Sequence, residues 1–234
     1  EATVEILNRA SDWHGLRLLV TAGPTHEPLD PVRFVGNRSS GKMGYAIAAA
    51  AQARGAEVTL VSGPTSLPAP AGVKLVNVQT TLGMYEACLE AFPEVDVCVK
   101  AAAPADFRVA DPAEQKMKKS GRSELLVRLV PNPDILAELG SRKKGQVLVG
   151  FAAETEDLLA NAREKMERKN CDLMVANDVT APDAGFGTDT NRVKLLSADG
   201  RVEELPVMEK TLLAHRLLDK VLLLVQERRS LGRA

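Results

Sequence analysis

The chain has 234 residues, 45% of them hydrophobic and 26% charged, which is enough apolar material for a sizeable core without staples. Its 30 Lys and Arg nearly balance 31 Asp and Glu, so no overall field points to nucleic acid or to an anionic membrane as a partner. Any anion site must therefore be local. Cys88, Cys98 and Cys171 show no spacing that suggests zinc and read as reduced thiols of a cytoplasmic protein. No apolar run approaches the roughly 20 residues needed to cross a bilayer.

In chain order, residues 1–14 read as the remnant of a linker, and the start at Glu1 rather than Met is what a piece of a longer protein would show. The first β-type run, LRLLV over 16–20, is followed by the long connection TAGPTHEPLDPVRFVGNRSSGK. A helix is predicted over 43–55, closed by Gly55, and strands over 57–61 and 74–78. Next come a helix over 81–92, the strand VDVCV over 95–99 and a second long connection beginning KAAAPADFRV. The strand QVLVG over 146–150 leads into FAAET, a helix over 156–170 follows, and DLMVA over 172–176 leads into NDVTAPDAGFGTDTN. A hairpin over 192–205 turns at Ala198-Asp199-Gly200, a helix covers 210–226, and 227–234 reads as a frayed basic tail. Strands apolar on both faces, alternating with helices, predict an α/β fold of three layers with a mostly parallel sheet and an antiparallel hairpin near the C-terminus. Nothing divides the chain, so 1–234 reads as a single domain.

Ligands of open α/β sheets bind beyond the carboxyl ends of the strands, which directs attention to those connections. GNRSSGKMG, 36–44, contains the GxxxxGK of a P-loop, but Met43 stands where a magnesium-binding hydroxyl would be, and VRFV ahead of it is a poor central strand. The span Gly23 to Lys42 therefore reads as one loop. Ser39 or Ser40 is expected to cap the following helix, leaving the amides of Ser40, Gly41, Lys42 and Met43 facing an anion. Asn37 and Arg33, planar polar groups in a loop of Gly, Pro and Ser, suit a carboxylate or acyl group. Lys116, Lys118 and Lys119 read either as a solvated charge run or as a basic lid over phosphates. Asp106 follows a strand and suits a hydroxyl or magnesium contact, while FAAET and ANDV, with Phe151 and Asn177, can meet a base or ribose. No Ser or Cys sits in a nucleophile elbow and no GxGxxG is present between Gly23 and Lys42. The residues by themselves describe an α/β enzyme that binds a nucleotide or phosphate, with a P-loop phosphotransferase and a non-catalytic nucleotide sensor as the alternatives.

Taken together, TAGPTHEPLDPVRFVGNRSSGKMG, AAAPADFRV, KMKK, NPDIL, GFAAET and ANDV resemble the phosphopantothenoylcysteine synthetase domain, over about 15–224 and with the motifs in the same order. In bacteria that domain is usually the C-terminal half of a bifunctional decarboxylase/synthetase, so the resemblance implies a flavin-dependent decarboxylase domain fused in the full-length protein. It implies a Rossmann-like sheet, a homodimer, and a ligase of coenzyme A biosynthesis that joins 4'-phosphopantothenate to cysteine through an acyl-cytidylate, with CTP and Mg2+. By position, Lys116 matches the flap lysine that assists acyl-cytidylate formation, Asn37 the asparagine that contacts the acyl intermediate, and Arg33 an arginine near the subunit interface. The nucleotide-binding set is then Gly23, Ser39, Ser40, Gly41 and Lys42 in the first loop and Ala102 and Asp106 in the second. Lys116, Lys118 and Lys119 of the flap, with Phe151 and Asn177 at later strand ends, complete it. The magnesium ligands are not identified. Pro104 in AAAPADF departs from the family pattern, where a small aliphatic residue is usual.

Overall fold

The computed structural model describes residues 11–119, 123–154, 158–178 and 187–231. Its frame is an eight-stranded sheet in the order β12-β11-β10-β9-β6-β1-β4-β5. Six strands are parallel: β1 (Arg17–Ala22), β4 (Glu57–Ser62), β5 (Lys74–Asn77), β6 (Val97–Lys100), β9 (Val147–Glu154) and β10 (Leu173–Asp178). The last two, β11 (Thr190–Ser197) and β12 (Val202–Glu209), form the antiparallel hairpin expected from the sequence, with Gly200 at φ 86° in its turn.

Alternation along the strands fills two cores. Leu18, Val20, Val97, Val99 and Val149 face helices α1 (Lys42–Ala53) and α5 (Lys210–Leu231), whose Ile47, Ala51, Leu217 and Val221 complete that side. Leu19, Cys98, Leu148 and Met174 face α2 (Thr81–Ala91), α3 (Ile135–Arg142) and α4 (Leu158–Arg168) through Met84, Leu139 and Met166. Burial on both faces is why these strands read as continuous apolar runs.

Several boundaries differ from the sequence reading. The first long connection contains a small hairpin, β2 (His26–Pro28) with β3 (Phe34–Gly36), and the second contains another, β7 (Phe107–Val109) with β8 (Leu129–Pro131), as well as α3. Within the expected linker, Trp13 is fully buried, its amide donates to the Arg54 carbonyl, and Asp12 pairs with the buried Arg54 guanidinium, which also holds Asp219. The expected tail is largely helical: α5 continues to Leu231 because Arg228 donates to Asp172 at 2.5 Å and Arg229 to Asp96 at 3.3 Å, which fastens the last turns to the residues just ahead of β10 and β6. Residues 155–157, within the FAAET and 156–170 assignments, and 179–186, within the loop after ANDV, lie outside the described residues.

The helix α1 lies close enough to β1 to require glycine. A Cβ on Gly44 would stand 2.5 Å from the Ala22 Cβ and 2.8 Å from the Thr21 carbonyl. Gly44→Ala is therefore expected to cost about 3 kcal/mol or more by forcing helix and strand apart. Gly145→Ala, where a Cβ meets nothing within 4 Å, is expected to stay within about 1 kcal/mol of the parent. Urea midpoints of the two variants compare them; equal midpoints would contradict the packing argument.

Candidate functional site

The carboxyl ends of β1, β6, β9 and β10 open into a cleft of about 480 Å³. Its first wall is the start of α1. Gly41, at φ 79°, is the N-cap and no side chain caps the helix, so the expected Ser39 or Ser40 cap is not formed; instead the Ser39 Oγ accepts from the Gly41 amide at 3.4 Å. A left-handed residue turns the chain sharply into the helix, and only glycine fits here, because a Cβ on Gly41 would lie 2.7 Å from Thr65 Cγ2. The first-turn amides of α1, which have no partner within the helix, open onto the cleft beside Ser39 and Ser40. Gly23 does not line the cleft; it lies beneath Gly41, its Cα 3.4 Å from where a Gly41 Cβ would be.

Asn37 reaches across to the second wall, its amide donating to the carbonyls of Ala103 at 3.0 Å and Pro104 at 3.1 Å. Pro104 therefore leaves its carbonyl in use. That wall is held by a buried network. Glu27 accepts from the Thr81 amide, the one hydroxyl proton of Thr81 lies within reach of both Glu27 and the Ala105 carbonyl, and the Ala105 amide donates to Thr25. Asn132 fixes the same segment by donating from its side chain to Ala105 O and from its backbone to Asp106 O. The outcome is an exposed Asp106 carboxylate that lines the cleft without a hydrogen bond or ion pair to another described residue. Ala102, Phe151 and Asn177 also line it, and the Asn177 Oδ1 is buried without a partner.

Two groups of expected residues lie elsewhere. Arg33 does not line the cleft: its guanidinium embraces Asp30 at 2.6 and 3.0 Å, which holds that carboxyl well below the usual range, and donates to the Met117 carbonyl at 3.0 Å. Met117 in turn donates its amide to Asp30 at 3.1 Å, so the Lys116-Met117-Lys118-Lys119 segment is tied to the β2–β3 hairpin. Lys116, Lys118 and Lys119 are exposed and outside the cleft. Lys42 lines the cleft, but its ammonium is turned to Asp189 at 2.7 Å and the Gly187 carbonyl at 2.9 Å.

Other cleft residues went unnoticed in the sequence. Lys100 is the last residue of β6 and only 9% exposed, and burial pushes its ammonium down to about 8 from the ordinary 10.5. Lys165 comes from α4 and Lys169 from the turn just past its C-terminus, and Asp134 with Ile135 from the N-terminus of α3. Burial works against the charged Asp134, but Lys169 donates to it at 2.6 Å and the Ala137 amide at 3.0 Å, and its pKa falls. A charge ending an apolar strand, as in VDVCVK, was the available signal for Lys100. Lysines in a helix carrying many other charges gave none.

A P-loop is not what this arrangement forms. β3 pairs only with β2, its residues are exposed, and it is no central strand. The fold and cleft define an α/β protein with an open cleft beyond its strand ends, lined by helix N-termini and lysines. The chain belongs to the DNA/pantothenate metabolism flavoprotein C-terminal domain family, whose model matches residues 13–224. It is 48% identical over 214 residues to the coenzyme A biosynthesis bifunctional protein CoaBC of Escherichia coli K12, covering 90% of this chain and 52% of that protein. It is 45% identical, also over 214 residues, to a cysteine/cysteine sulfinic acid decarboxylase of an unknown prokaryotic organism, covering 91% of this chain and 59% of that one. The crystal structure of the C-terminal domain of a CoaBC protein superposes with a TM-score of 0.80 at 40% identity, over 93% of this chain and 99% of that one. The chain thus spans little more than half the length of these curated relatives. The resemblance drawn from the motifs is borne out at the level of this family and fold.

Because Lys100 is held charged in a buried place without a partner among the described residues, its folded pKa lies below its unfolded one. The protein then carries a penalty that is full below about pH 8 and fades as pH rises toward 10.5, where the unfolded chain also loses the proton. Lys100→Met is expected to raise the melting temperature of the ligand-free protein at pH 7 by several degrees, on the order of 1–3 kcal/mol. The gain should shrink between pH 8 and 10. A lower melting temperature at pH 7 would refute it.

Proposed function

We propose that this chain is a phosphopantothenoylcysteine synthetase, a ligase that joins 4'-phosphopantothenate to L-cysteine with CTP and Mg2+ in coenzyme A biosynthesis. The observation that carries the reading is the convergence in one cleft of an uncapped helix N-terminus, the Asn37 amide and an Asp106 carboxylate without a partner among the described residues, with neither Cys nor His among the described residues that line it. Such a site works by positioning and charge compensation, which suits a reaction that needs no protein nucleophile. The three cysteines are buried, and burial raises their thiols, those of Cys88 and Cys171 to about 12.

In the first step a carboxylate oxygen of 4'-phosphopantothenate attacks the α-phosphorus of CTP, and the bond to pyrophosphate breaks. In the second, the cysteine amine attacks the acyl carbon, the bond to CMP breaks, and the amine proton leaves to solvent. The first turn of α1 receives phosphate oxygens, and Asn37, fixed by two carbonyls, presents its remaining capacity to the acyl group. Among the described residues no group of three or more His, Cys, Asp or Glu could form a metal cage, which fits a magnesium ion held mostly by phosphates and water with Asp106 as its protein carboxylate. When bound, the ion would neutralise charge on the departing pyrophosphate.

The same reading includes a homodimer working in the cytoplasm and, in the full-length protein, a flavin-dependent decarboxylase domain. Supporting the dimer, the two small hairpins, which contact each other, expose the large apolar side chains Phe34 (53%) and Phe107 (52%), exposure of the kind that marks interfaces. Arg33 and Lys116, which lie outside their own cleft, sit on that side and are positioned to serve the site across the interface or by flap closure.

Product assays with 4'-phosphopantothenate, cysteine and each nucleoside triphosphate test the function. Pyrophosphate and CMP should appear only with CTP and both co-substrates, whereas a nucleoside diphosphate would favour a phosphotransferase and binding without turnover a sensor. Lys116→Gln is expected to cut pyrophosphate release by about 10²-fold or more, and Asn37→Asp to let acyl-cytidylate accumulate while amide formation slows. Wild-type amide yields from both would refute the assignments. Phe34→Asp together with Phe107→Asp should shift the sedimentation coefficient from dimer to monomer; an unchanged coefficient would remove this surface as the interface.

A further inference from the structure

Lys100 stands apart from the other lysines of the cleft. Lys42 has Asp189, Lys169 has Asp134, and both Lys165 and Lys210 have partners. Lys100 has neither a hydrogen bond nor an ion pair among the described residues, although it is 91% removed from solvent. Its place is fixed by the sheet: it pairs with Thr21 of β1 and Gly150 of β9 at the carboxyl end of the central strand, facing the layer of α2, α3 and α4.

The groups that face it do not supply a counter-ion. From α2 comes Cys88, whose thiol burial keeps neutral; from α4 and the turn after it come Lys165 and Lys169, which repel it. From α3 comes only Asp134, already engaged by Lys169 and the Ala137 amide. The N-terminus of α3 adds its positive end to the same wall. A buried charge without a partner is costly unless a ligand provides one. The required ligand is anionic, rich in oxygen acceptors and able to reach the floor of the cleft.

We propose that Lys100 is a phosphate anchor on the cleft floor, forming with the α3 N-terminus a second anion subsite that holds a phosphate group of the nucleotide across from the first turn of α1. This deepens the proposed nucleotide site and rests on that reading for the ligand's identity, but not for its charge. Anion binding then favours the protonated ammonium, so occupancy of the cleft and proton uptake by Lys100 are linked.

Titration calorimetry on the whole chain tests this with inorganic pyrophosphate and with CTP. At pH 7, Lys100→Met should bind pyrophosphate at least fivefold more weakly than wild type while melting no lower, since a charge-assisted bond is removed and not the fold. At pH 8, CTP binding to wild type, compared in buffers of different ionisation enthalpy, should take up a fraction of a proton that the variant does not. A loss under fivefold, or identical proton uptake in the two proteins, overturns the proposal. Should the variant melt below wild type, the absence of proton uptake by wild type alone would overturn it. If pyrophosphate shows the expected loss but CTP does not bind, the choice of CTP falls and the anchor stands; if ligase assays succeed with Lys100→Met binding as wild type does, the anchor falls and the ligase stands.

Discussion

Everything at the cleft depends on one close approach of backbone to backbone where β1 and β4 end. A Cβ on Gly63 would lie 1.7 Å from the Pro24 carbonyl, and Gly23, Gly41 and Gly44 stack between this point and the start of α1. Four glycines therefore let the first loop, the end of β4 and a helix N-terminus occupy space that side chains would otherwise fill. The ladder bond from the Gly63 amide to the Ala22 carbonyl and the bond from Ala103 to Gly23 lock the approach from both sides. Without it, the amides of α1 would face the core or the bulk solvent instead of a ligand.

From that constraint the electrostatics follow. Strands that end together deliver Lys100 and the Asp106 segment to the same place, and the helices covering them add their positive ends. The acidic groups that could quench this field are taken up locally: Asp30 by Arg33, Asp134 by Lys169, Asp189 by Lys42. Asp106 remains the cleft carboxylate with no such engagement. The chain as a whole is nearly neutral, yet the cleft is cationic, because charge is distributed by topology and not by composition.

How much of this was legible depended on the range of the interaction. Periodicity placed the six parallel strands and four of the five α-helices of the described residues, since burial on two faces or one is written in consecutive residues. Motif order identified the family, and the strand-end rule singled out Asn37, Ser39, Asp106 and Phe151, all of which line the cleft. What escaped was set by distant partners. Trp13 looked like part of a linker because its partner, the Arg54 carbonyl, lies at the far end of α1, and the basic end of α5 looked frayed because Asp172 and Asp96, which hold it, stand ahead of β10 and β6, far away in sequence. The eight-residue α3 was missed behind a hairpin whose three-residue strands are too short to carry a pattern. Arg33 was read as a ligand-facing charge, and only the fold shows that Asp30, three residues before it, claims it first.

The same distinction explains the near match of GNRSSGKMG to a P-loop. A P-loop needs a buried strand ahead of it, a lysine free to reach phosphate and a hydroxyl for magnesium. Here the preceding strand is an exposed hairpin edge, Lys42 is occupied by Asp189, and Met43 packs against the core on the α1 side of the sheet. What the two share is the part that physics demands of any phosphate site at a helix start: a glycine in a left-handed turn, small residues before it and amides left open. Position 43 instead carries an apolar side chain that adds to the packing that keeps the helix start in place.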